Sequence, residues 1–214
     1  MTTASRRGST RTPRLLDFAA HTELWRAFKD AGGTGFSTRA GRRARFSPVF
    51  AADGSVVPVW YGATSEAGAI FESVFHDIRP SHRERRVLPN QYVDRILAPV
   101  VTVRPLRLVD LTTDGLRAIG RSRERLIEST SRRYAWTVEQ VEQLRAAAPD
   151  ADGFIWVSRA RDTSMSLVLY ENPGRPAMIA PASKASMPLG VGPGLNVLRR
   201  LATSANIVVV VPGP

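Results

Sequence analysis

The chain has 214 residues, and its 30 Lys and Arg outnumber its 19 Asp and Glu, which gives a formal net charge of +11. It contains no cysteine, so disulfides, iron–sulfur clusters, thiolate zinc sites and a thiol nucleophile are excluded. A hydrophobic share of 43% is typical of a folded protein, and this length suits one domain of ordinary size.

Residues 1–20 predict a basic flexible tail, which leaves residues 21–214 as a single domain. The tail lacks the apolar centre of a secretory signal, although its Arg-rich start without acid before Asp17 also resembles an organellar transit peptide. The longest apolar run, Ile207–Pro212, is far shorter than the roughly 20 residues that cross a bilayer. We therefore expect a cytoplasmic protein without a membrane segment.

The first half of the domain predicts strands that lead into one clear helix. Leu24–Phe28 suits a strand, residues 30–44 suit a glycine-containing loop, and Arg45–Phe50 suits a short edge strand. Val56–Tyr61 is β-branched and aromatic, as in a buried strand.

The helix is expected from Ala67 to about Asp77, with Thr64 or Ser65 as its N-cap. Glu72 and His76 would share one face of this helix, because residues four apart are neighbours on a helix surface. The apolar stripe that would face the core consists of Ala67, Ile70, Phe71 and Val74.

The second half of the domain continues with mixed elements. Val100–Val103 and Leu106–Leu111 predict strands, and residues 113–147 predict mainly helix, with Thr137 and Gln140 as a capping box for its last segment. The segments after this helix are predicted as two strands, a helix and a final strand: Phe154–Ser158, Ser166–Glu171, Leu195–Ala202 and Ile207–Val211. The fold class is therefore α/β or α+β, with mixed small sheets flanked by helices in one domain.

Several familiar catalytic motifs do not occur. The three histidines lack metal-site spacing, so no metal is expected. The glycine cluster Gly32–Gly35 has no P-loop Lys-Ser/Thr, Pro193 removes a donor from the glycine-rich segment 190–194, and no GxSxG elbow is present.

The basic charge raises the possibility of a nucleic-acid partner, because Lys and Arg neutralise phosphates without regard to sequence. The arginines are dispersed along the chain, however, and no zinc finger, heptad array or aromatic RNA-binding strand accompanies them. A solvated basic surface, a pocket for an anionic small molecule and an acidic protein partner are the alternatives that this pattern leaves open.

Four polar residues interrupt segments that are otherwise apolar. Arg26 lies inside the first strand, Tyr61 ends the second, and Ser158 ends Phe154–Val157. Glu72 lies between Phe71 and Phe75. Each has an ordinary structural explanation alone, and together they suggest one site.

The segments around these residues resemble the RES-domain family, which is named for its Arg, Glu and Ser. The resemblance covers about residues 22–172. It rests on LWR at 24–26, RFSP at 45–48, PVWYGA at 58–63, AIFESVFHD at 69–77, LVDLT at 108–112 and DGFIWVSR at 152–159.

The resemblance implies a bacterial toxin that degrades NAD⁺, with a fold similar to ADP-ribosyltransferases. NAD⁺ would be the substrate and not a cofactor. The resemblance also implies a small antitoxin with a helix-turn-helix part, through which any contact with nucleic acid would be indirect, and an oligomer with that antitoxin is an open possibility. It maps Arg26, Tyr61, Glu72 and Ser158 to the active site and adds Arg45 as a further pocket arginine.

These residue types suit cleavage of the nicotinamide–ribose bond. A carboxylate such as Glu72 stabilises the oxocarbenium-like charge that develops on the ribose. Arg26 and Arg45 could each form two hydrogen bonds to the diphosphate. Tyr61 offers a face on which the nicotinamide or the ribose could stack. Ser158 could donate a hydrogen bond that orients the substrate.

Other features stay open at the level of sequence. Arg45 is followed by Phe-Ser-Pro, whereas many members carry Gly-Arg-Trp-Asn there. The acceptor could be water or phosphate, and Ser164 or Ser166 could serve in place of Ser158. The rival functions are a nucleic-acid-binding or RNA-cleaving toxin and an ADP-ribosyltransferase that modifies a macromolecule.

Overall fold

The computed structural model describes residues 11–29, 33–38, 43–78 and 81–212. These residues form one α+β domain, with two short 3-10 turns at Pro89–Gln91 and Ser131–Arg133. The helices are α1 (Glu66–Phe71), α2 (Thr113–Ala118), α3 (Arg123–Leu126), α4 (Tyr134–Ala147) and α5 (Gly192–Ser204). The strands are β1 (Leu15–Phe18), β2 (Glu23–Lys29), β3 (Val59–Ala63), β4 (Arg86–Val87), β5 (Arg95–Thr102), β6 (Leu106–Asp110), β7 (Gly153–Val157), β8 (Met165–Tyr170), β9 (Ile179–Pro181), β10 (Met187–Pro188) and β11 (Val208–Val209).

Nine of the described strands form a curled sheet in the order β1-β6-β7-β8-β3-β2-β5-β10, and β9 also pairs with β5. β6 and β7 run parallel, and the other neighbours in this sheet are antiparallel. β4 and β11 form a separate parallel pair. The order brings β7, β8, β3, β2 and β5 side by side, and these five strands carry most of the residues of the candidate site.

Helices cover one face of the sheet in two groups. α1 and α5 pack on β2, β3 and β5 in a core that includes Trp25, Ile70 and Leu198. α2, α3 and α4 pack on β6, β7 and β8, together with Phe46 from the loop before β3. A third cluster fills the opposite face and includes Ile155, because side chains alternate between faces along a strand.

The predicted helix at Ala67–Asp77 is shorter than the sequence suggested, because α1 ends at Phe71 and Glu72 is its C-cap. Ser65 caps the start by accepting a hydrogen bond from the Gly68 amide. At the end, the Ser73 hydroxyl donates to the Ala69 carbonyl at 2.6 Å and so competes with continuation of the backbone ladder. The predicted shared helical face of Glu72 and His76 is therefore wrong.

Three other predictions need correction. Residues 15–18 of the predicted tail form β1, which pairs with β6, whereas residues 1–10 lie outside the described part of the chain. Arg45–Phe50 forms isolated bridges and no strand. The predicted capping box is wrong, because α4 begins at Tyr134 and the Thr137 hydroxyl donates to the Arg45 carbonyl.

Several predicted elements are confirmed with small shifts. The strands expected at Leu24–Phe28 and Phe154–Ser158 correspond to β2 and β7, and the strand expected at Ser166–Glu171 corresponds to β8. The helix expected at Leu195–Ala202 is the middle of α5. None of the helices in the described part of the chain has the length and apolar composition that a membrane span requires.

Candidate active site

A cavity of about 370 Å³ lies beside α1 and extends over β7, β8, β3, β2 and β5. Four residues that the sequence analysis assigned to the site line it together. They are Arg26, Arg45, Tyr61 and Glu72. The further lining residues with a polar side-chain atom are Trp25, Lys29, Ser73, His76, Arg95, Tyr134, Trp156 and Ser166.

The carboxylate of Glu72 is fixed by the segment that follows β7. The Ser158 hydroxyl donates to Glu72 Oε1 at 2.6 Å, and the Arg159 amide donates to the same oxygen at 3.2 Å. The Ser158 oxygen in turn accepts from the amides of Ala160 and Arg161, both at 3.1 Å. Ser158 is fully buried and contacts Glu72 instead of lining the cavity, so its place in the structure is that of a residue that positions the carboxylate.

The three nearby serines have different positions. Ser164 accepts a hydrogen bond from the N-cap Ser65 at 2.9 Å and so supports the start of α1. Ser166 lines the cavity, and its buried hydroxyl has no hydrogen-bond partner in the protein. Ser158 alone of the three donates a hydrogen bond to Glu72, and Ser166 alone of the three lines the cavity.

Tyr61 reaches the cavity from the middle of β3, where the sequence analysis expected the end of a strand. Its hydroxyl accepts from the Phe46 amide at 3.3 Å and donates to Ser47 Oγ at 3.2 Å. Burial raises the pKa of Tyr61 to about 12, despite the hydrogen bonds that favour the ionised form. The hydroxyl thus fixes the loop after Arg45 and leaves the ring as the part of Tyr61 that can contact a ligand.

Arg45 is a buried cation, with only 7% of its surface exposed. Its backbone carbonyl accepts from Thr137 of α4, and its guanidinium lies 6.0 Å from the centre of the Tyr134 ring. Burial lowers the pKa of Arg45, and the negative charge of Glu72 acts in the opposite direction. The Nε and Nη2 atoms of Arg45 are buried and have no hydrogen-bond partner in the protein.

The cavity is also lined by three more cations, Arg26, Lys29 and Arg95, which we call the rim cations. The Arg26 guanidinium donates to the Gly35 carbonyl. Lys29 pairs with Asp94 at 2.8 Å, and Arg95 Nε donates to the Gln91 carbonyl at 2.7 Å. The residues that we call the floor are Arg45, Glu72, Trp156 and Ser166. Arg45, Trp156 and Ser166 are buried, whereas Glu72, like Arg26 and Arg95, is half-buried and Lys29 is exposed.

The sequence analysis missed Lys29, Arg95 and Trp156 as lining residues. Lys29 and Arg95 are register partners at the ends of β2 and β5, a pairing between distant segments that no local pattern reveals. Trp156 lies in an apolar strand, where the sequence predicts only a core residue. No group of three His, Cys, Asp or Glu side chains within the described residues could hold a metal ion.

Comparison with solved structures identifies a similar fold. The chain is similar to a chain in the crystal structure of the M. tuberculosis MbcT–MbcA toxin–antitoxin complex, with a TM-score of 0.61. The similarity covers 87% of this chain and 92% of the other, at 14% sequence identity. At that identity the likeness establishes the fold.

The family follows from the sequence itself. The model of the RES domain matches residues 18–190, which is most of the chain. The chain therefore belongs to the RES-domain family, as its motifs predicted. No curated protein matches it in sequence.

Proposed function

We propose that this protein is the toxin of a toxin–antitoxin pair and that it cleaves the nicotinamide–ribose bond of NAD⁺. The observation that supports this most directly is the Glu72 carboxylate, which is fixed by two hydrogen bonds inside a cavity whose other charged side chains are cations. A single oriented carboxylate among cations suits a substrate that is anionic overall and develops positive charge at one carbon.

The charge of the cavity fits the diphosphate of NAD⁺. Arg26, Lys29, Arg45 and Arg95 line it against the single carboxylate of Glu72. Arginine forks bidentately onto phosphate oxygens, so the rim cations suit the diphosphate. The Tyr61 ring offers a face against which the nicotinamide or the ribose can pack. NAD⁺ is consumed in this scheme and is therefore a substrate.

The chemical step requires no metal or second carboxylate. The C1′–N bond breaks, and its electron pair returns to the nicotinamide ring, which leaves as a neutral molecule. Glu72 stabilises the positive charge that builds up on C1′ and the ring oxygen of the ribose. An acceptor oxygen then forms the new bond to C1′. If the acceptor is water, it also releases one proton to the solvent.

The toxin role rests on the family and on the fold. The similar solved structure is that of a toxin–antitoxin complex. A protein that destroys NAD⁺ needs an inhibitor in its own cell, and we propose a cognate protein, with a helix-turn-helix part, that covers the cavity. An acidic segment in that partner would be attracted by the net charge of +11.

Incubation of the purified protein with NAD⁺, followed by chromatographic identification of the products, tests the activity. We expect release of nicotinamide, and expect Glu72→Gln to lower it by about 10²-fold or more. Glu139→Gln, which changes an exposed glutamate on α4, should retain it. NAD⁺ that stays intact with and without phosphate would contradict the proposal. Label transferred from NAD⁺ to protein or nucleic acid would indicate an ADP-ribosyltransferase, and RNA cleavage with intact NAD⁺ would indicate a ribonuclease.

The partner proposal is tested separately. We expect the cognate antitoxin, added at equimolar concentration, to suppress nicotinamide release and to protect the segments around Arg26 and Glu72 from hydrogen exchange. Full activity in a stable complex would mean that the partner binds elsewhere on the protein.

A further inference from the structure

A second pocket, of about 300 Å³, adjoins the candidate active site. Among the described residues the two cavities share one lining residue, His76. The second pocket is built by the end of α1 and the turn after it, the residue before β4, the segment after β7 and the segment between α5 and β11. It is therefore a separate cavity, and its lining has a chemistry of its own.

Much of the lining of the second pocket is apolar. Phe71 and Phe75 pack edge-on against each other, with 5.1 Å between ring centres, and both line the pocket. Ile78 and Ile207 line it as well. The volume is at the lower end of ordinary ligand sites, so the pocket has room for one ring or a short aliphatic chain.

Two arginines give the second pocket a positive charge. Arg85 and Arg159 line it, and both are half-buried. Neither forms an ion pair with a carboxylate of the described residues. Arg104 and Arg123, which are half-buried elsewhere, pair with Asp152 and Glu128 at 2.6 and 2.9 Å. Because a partly buried cation without a counter-charge is costly, an anion bound between Arg85 and Arg159 would be stabilising.

The acidic residue of the second pocket does not neutralise these cations. Asp77 contacts His76 Nδ1 at 2.8 Å, and its side chain is 85% exposed. The Arg159 guanidinium donates instead to the backbone carbonyl of His76 at 3.3 Å. This bond uses one of the five N–H donors of a guanidinium, so Arg159 can still donate two bonds to a ligand.

We propose that the second pocket binds small carboxylates that carry an aromatic ring or a short aliphatic group. The guanidiniums of Arg85 and Arg159 donate to the carboxylate, as arginine does in charge-assisted pairs. The ring or chain packs against Phe75 and Ile207. The inference goes beyond the proposed function and does not depend on it, because no step uses NAD⁺ or the charge of Glu72.

Arg159 connects this pocket to the candidate active site. Its guanidinium lines the second pocket, and its backbone amide donates to Glu72 Oε1 at 3.2 Å. A ligand on the guanidinium therefore contacts a residue that helps to fix the carboxylate. For the same reason the test substitutes Arg85, which does not line the candidate active site.

Titration of the isotope-labelled full-length protein with phenylacetate, followed by NMR in the absence of NAD⁺, tests the site. We expect saturable shifts of the amide signals of residues 71–78 and 205–207. Phenylacetamide keeps the ring without the charge, and acetate keeps the charge without the ring. Each should bind about tenfold more weakly, because one loses the charge-assisted hydrogen bonds and the other loses the buried apolar area.

Two substitutions test the charge and the shape of the pocket separately. Arg85→Gln removes one guanidinium, and its control is Arg83→Gln, at an exposed arginine outside the pocket. We expect Arg85→Gln to weaken phenylacetate binding about fivefold, because water screens part of an interaction at a half-exposed site. Ala205→Leu fills part of the pocket and keeps both cations, so it should abolish binding. Its control is Ala118→Leu, at an exposed position of α2, and a thermal melt verifies that each variant is folded.

Three results would overturn the proposal. The first is that phenylacetamide binds as tightly as phenylacetate, and the second is that Arg85→Gln and Arg83→Gln bind phenylacetate equally. The third is displacement of phenylacetate by NAD⁺, with shifts confined to residues around Arg26 and Tyr61, because the ligand would then occupy the candidate active site. Nicotinamide release is not part of the measurement, so failure of the proposed function would leave the binding result unchanged.

Discussion

The floor and the rim of the cavity both contain arginine, but their cations differ in burial and in pairing. Arg45 in the floor is 7% exposed and has two nitrogens without partners, whereas Lys29 in the rim has a side chain that is 48% exposed and pairs with Asp94. Electrostatic interactions are much stronger where water is excluded. The floor is therefore suited to act on the reacting atoms, and the rim to attract and orient an anionic ligand.

The largest expected effect comes from the floor carboxylate. Glu72→Gln preserves size and can still accept from Ser158, but it removes the negative charge that stabilises the developing cation. We expect nicotinamide release to fall by about 10²-fold or more, as for loss of one electrostatic stabiliser elsewhere. Steady-state kinetics with a thermal melt of the same sample measures this, and Glu139→Gln is the control. A kcat close to wild type would remove Glu72 from the reaction.

The next effect tests whether orientation of that carboxylate matters. Ser158→Ala removes the 2.6 Å bond to Glu72 and also leaves the Ala160 and Arg161 amides without their acceptor. We expect kcat to fall about tenfold with little change in KM, and the protein to lose roughly 1–2 kcal/mol of stability. Ser164→Ala, which removes the bond to Ser65, should cost stability without the loss of kcat. Equal kcat values for the two variants would mean that Ser158 is purely structural.

The sequence predicted some residues of the site better than the contacts between them. Glu72 and Tyr61 lie on a strand–helix unit that local patterns describe well, and Ser158 follows a strand whose apolar run is clear. The direct bond between Ser158 and Glu72 spans 86 residues, and Trp156 meets Ser166 through the strand register. Long-range pairing of this kind depends on the whole sheet, so periodicity does not reveal it.

The error in the predicted end of α1 has a cause in its own sequence. The sequence predicted that the helix would continue to Asp77, because apolar residues keep a helical period as far as Val74. The Ser73 hydroxyl bonds back to the Ala69 carbonyl, and Val74 packs in the core from a turn instead. Periodicity therefore identified the buried side chains correctly although the backbone leaves the helix at Glu72.

A substitution at the rim should affect catalysis less than Glu72→Gln or Ser158→Ala. Arg95→Gln removes a cation from the cavity at a partly exposed position and should raise KM about threefold with kcat unchanged, because exposed charges contribute little. The rise should shrink in high salt, which screens such charges. Arg107→Gln, an exposed arginine on β6, is the control. A loss confined to kcat would place Arg95 with the floor instead.

The smallest expected effect concerns the support of the floor by Tyr61, and it appears in stability at alkaline pH. The raised pKa of about 12 means that Tyr61 stays neutral in the folded protein while the unfolded chain ionises near pH 10. The unfolded state thus releases the proton first, and the free energy of unfolding should fall by about 1 kcal/mol at pH 11 through this group. Tyr61→Phe should remove that share of the decline, whereas the contribution of Tyr170, whose pKa burial also raises, persists. Urea denaturation from pH 8 to 11 measures the difference. Identical pH profiles for wild type and variant would show that the Tyr61 hydroxyl is solvated. The Thr137 hydrogen bond and the packing of Phe46 would then fix the loop after Arg45 without help from that hydroxyl.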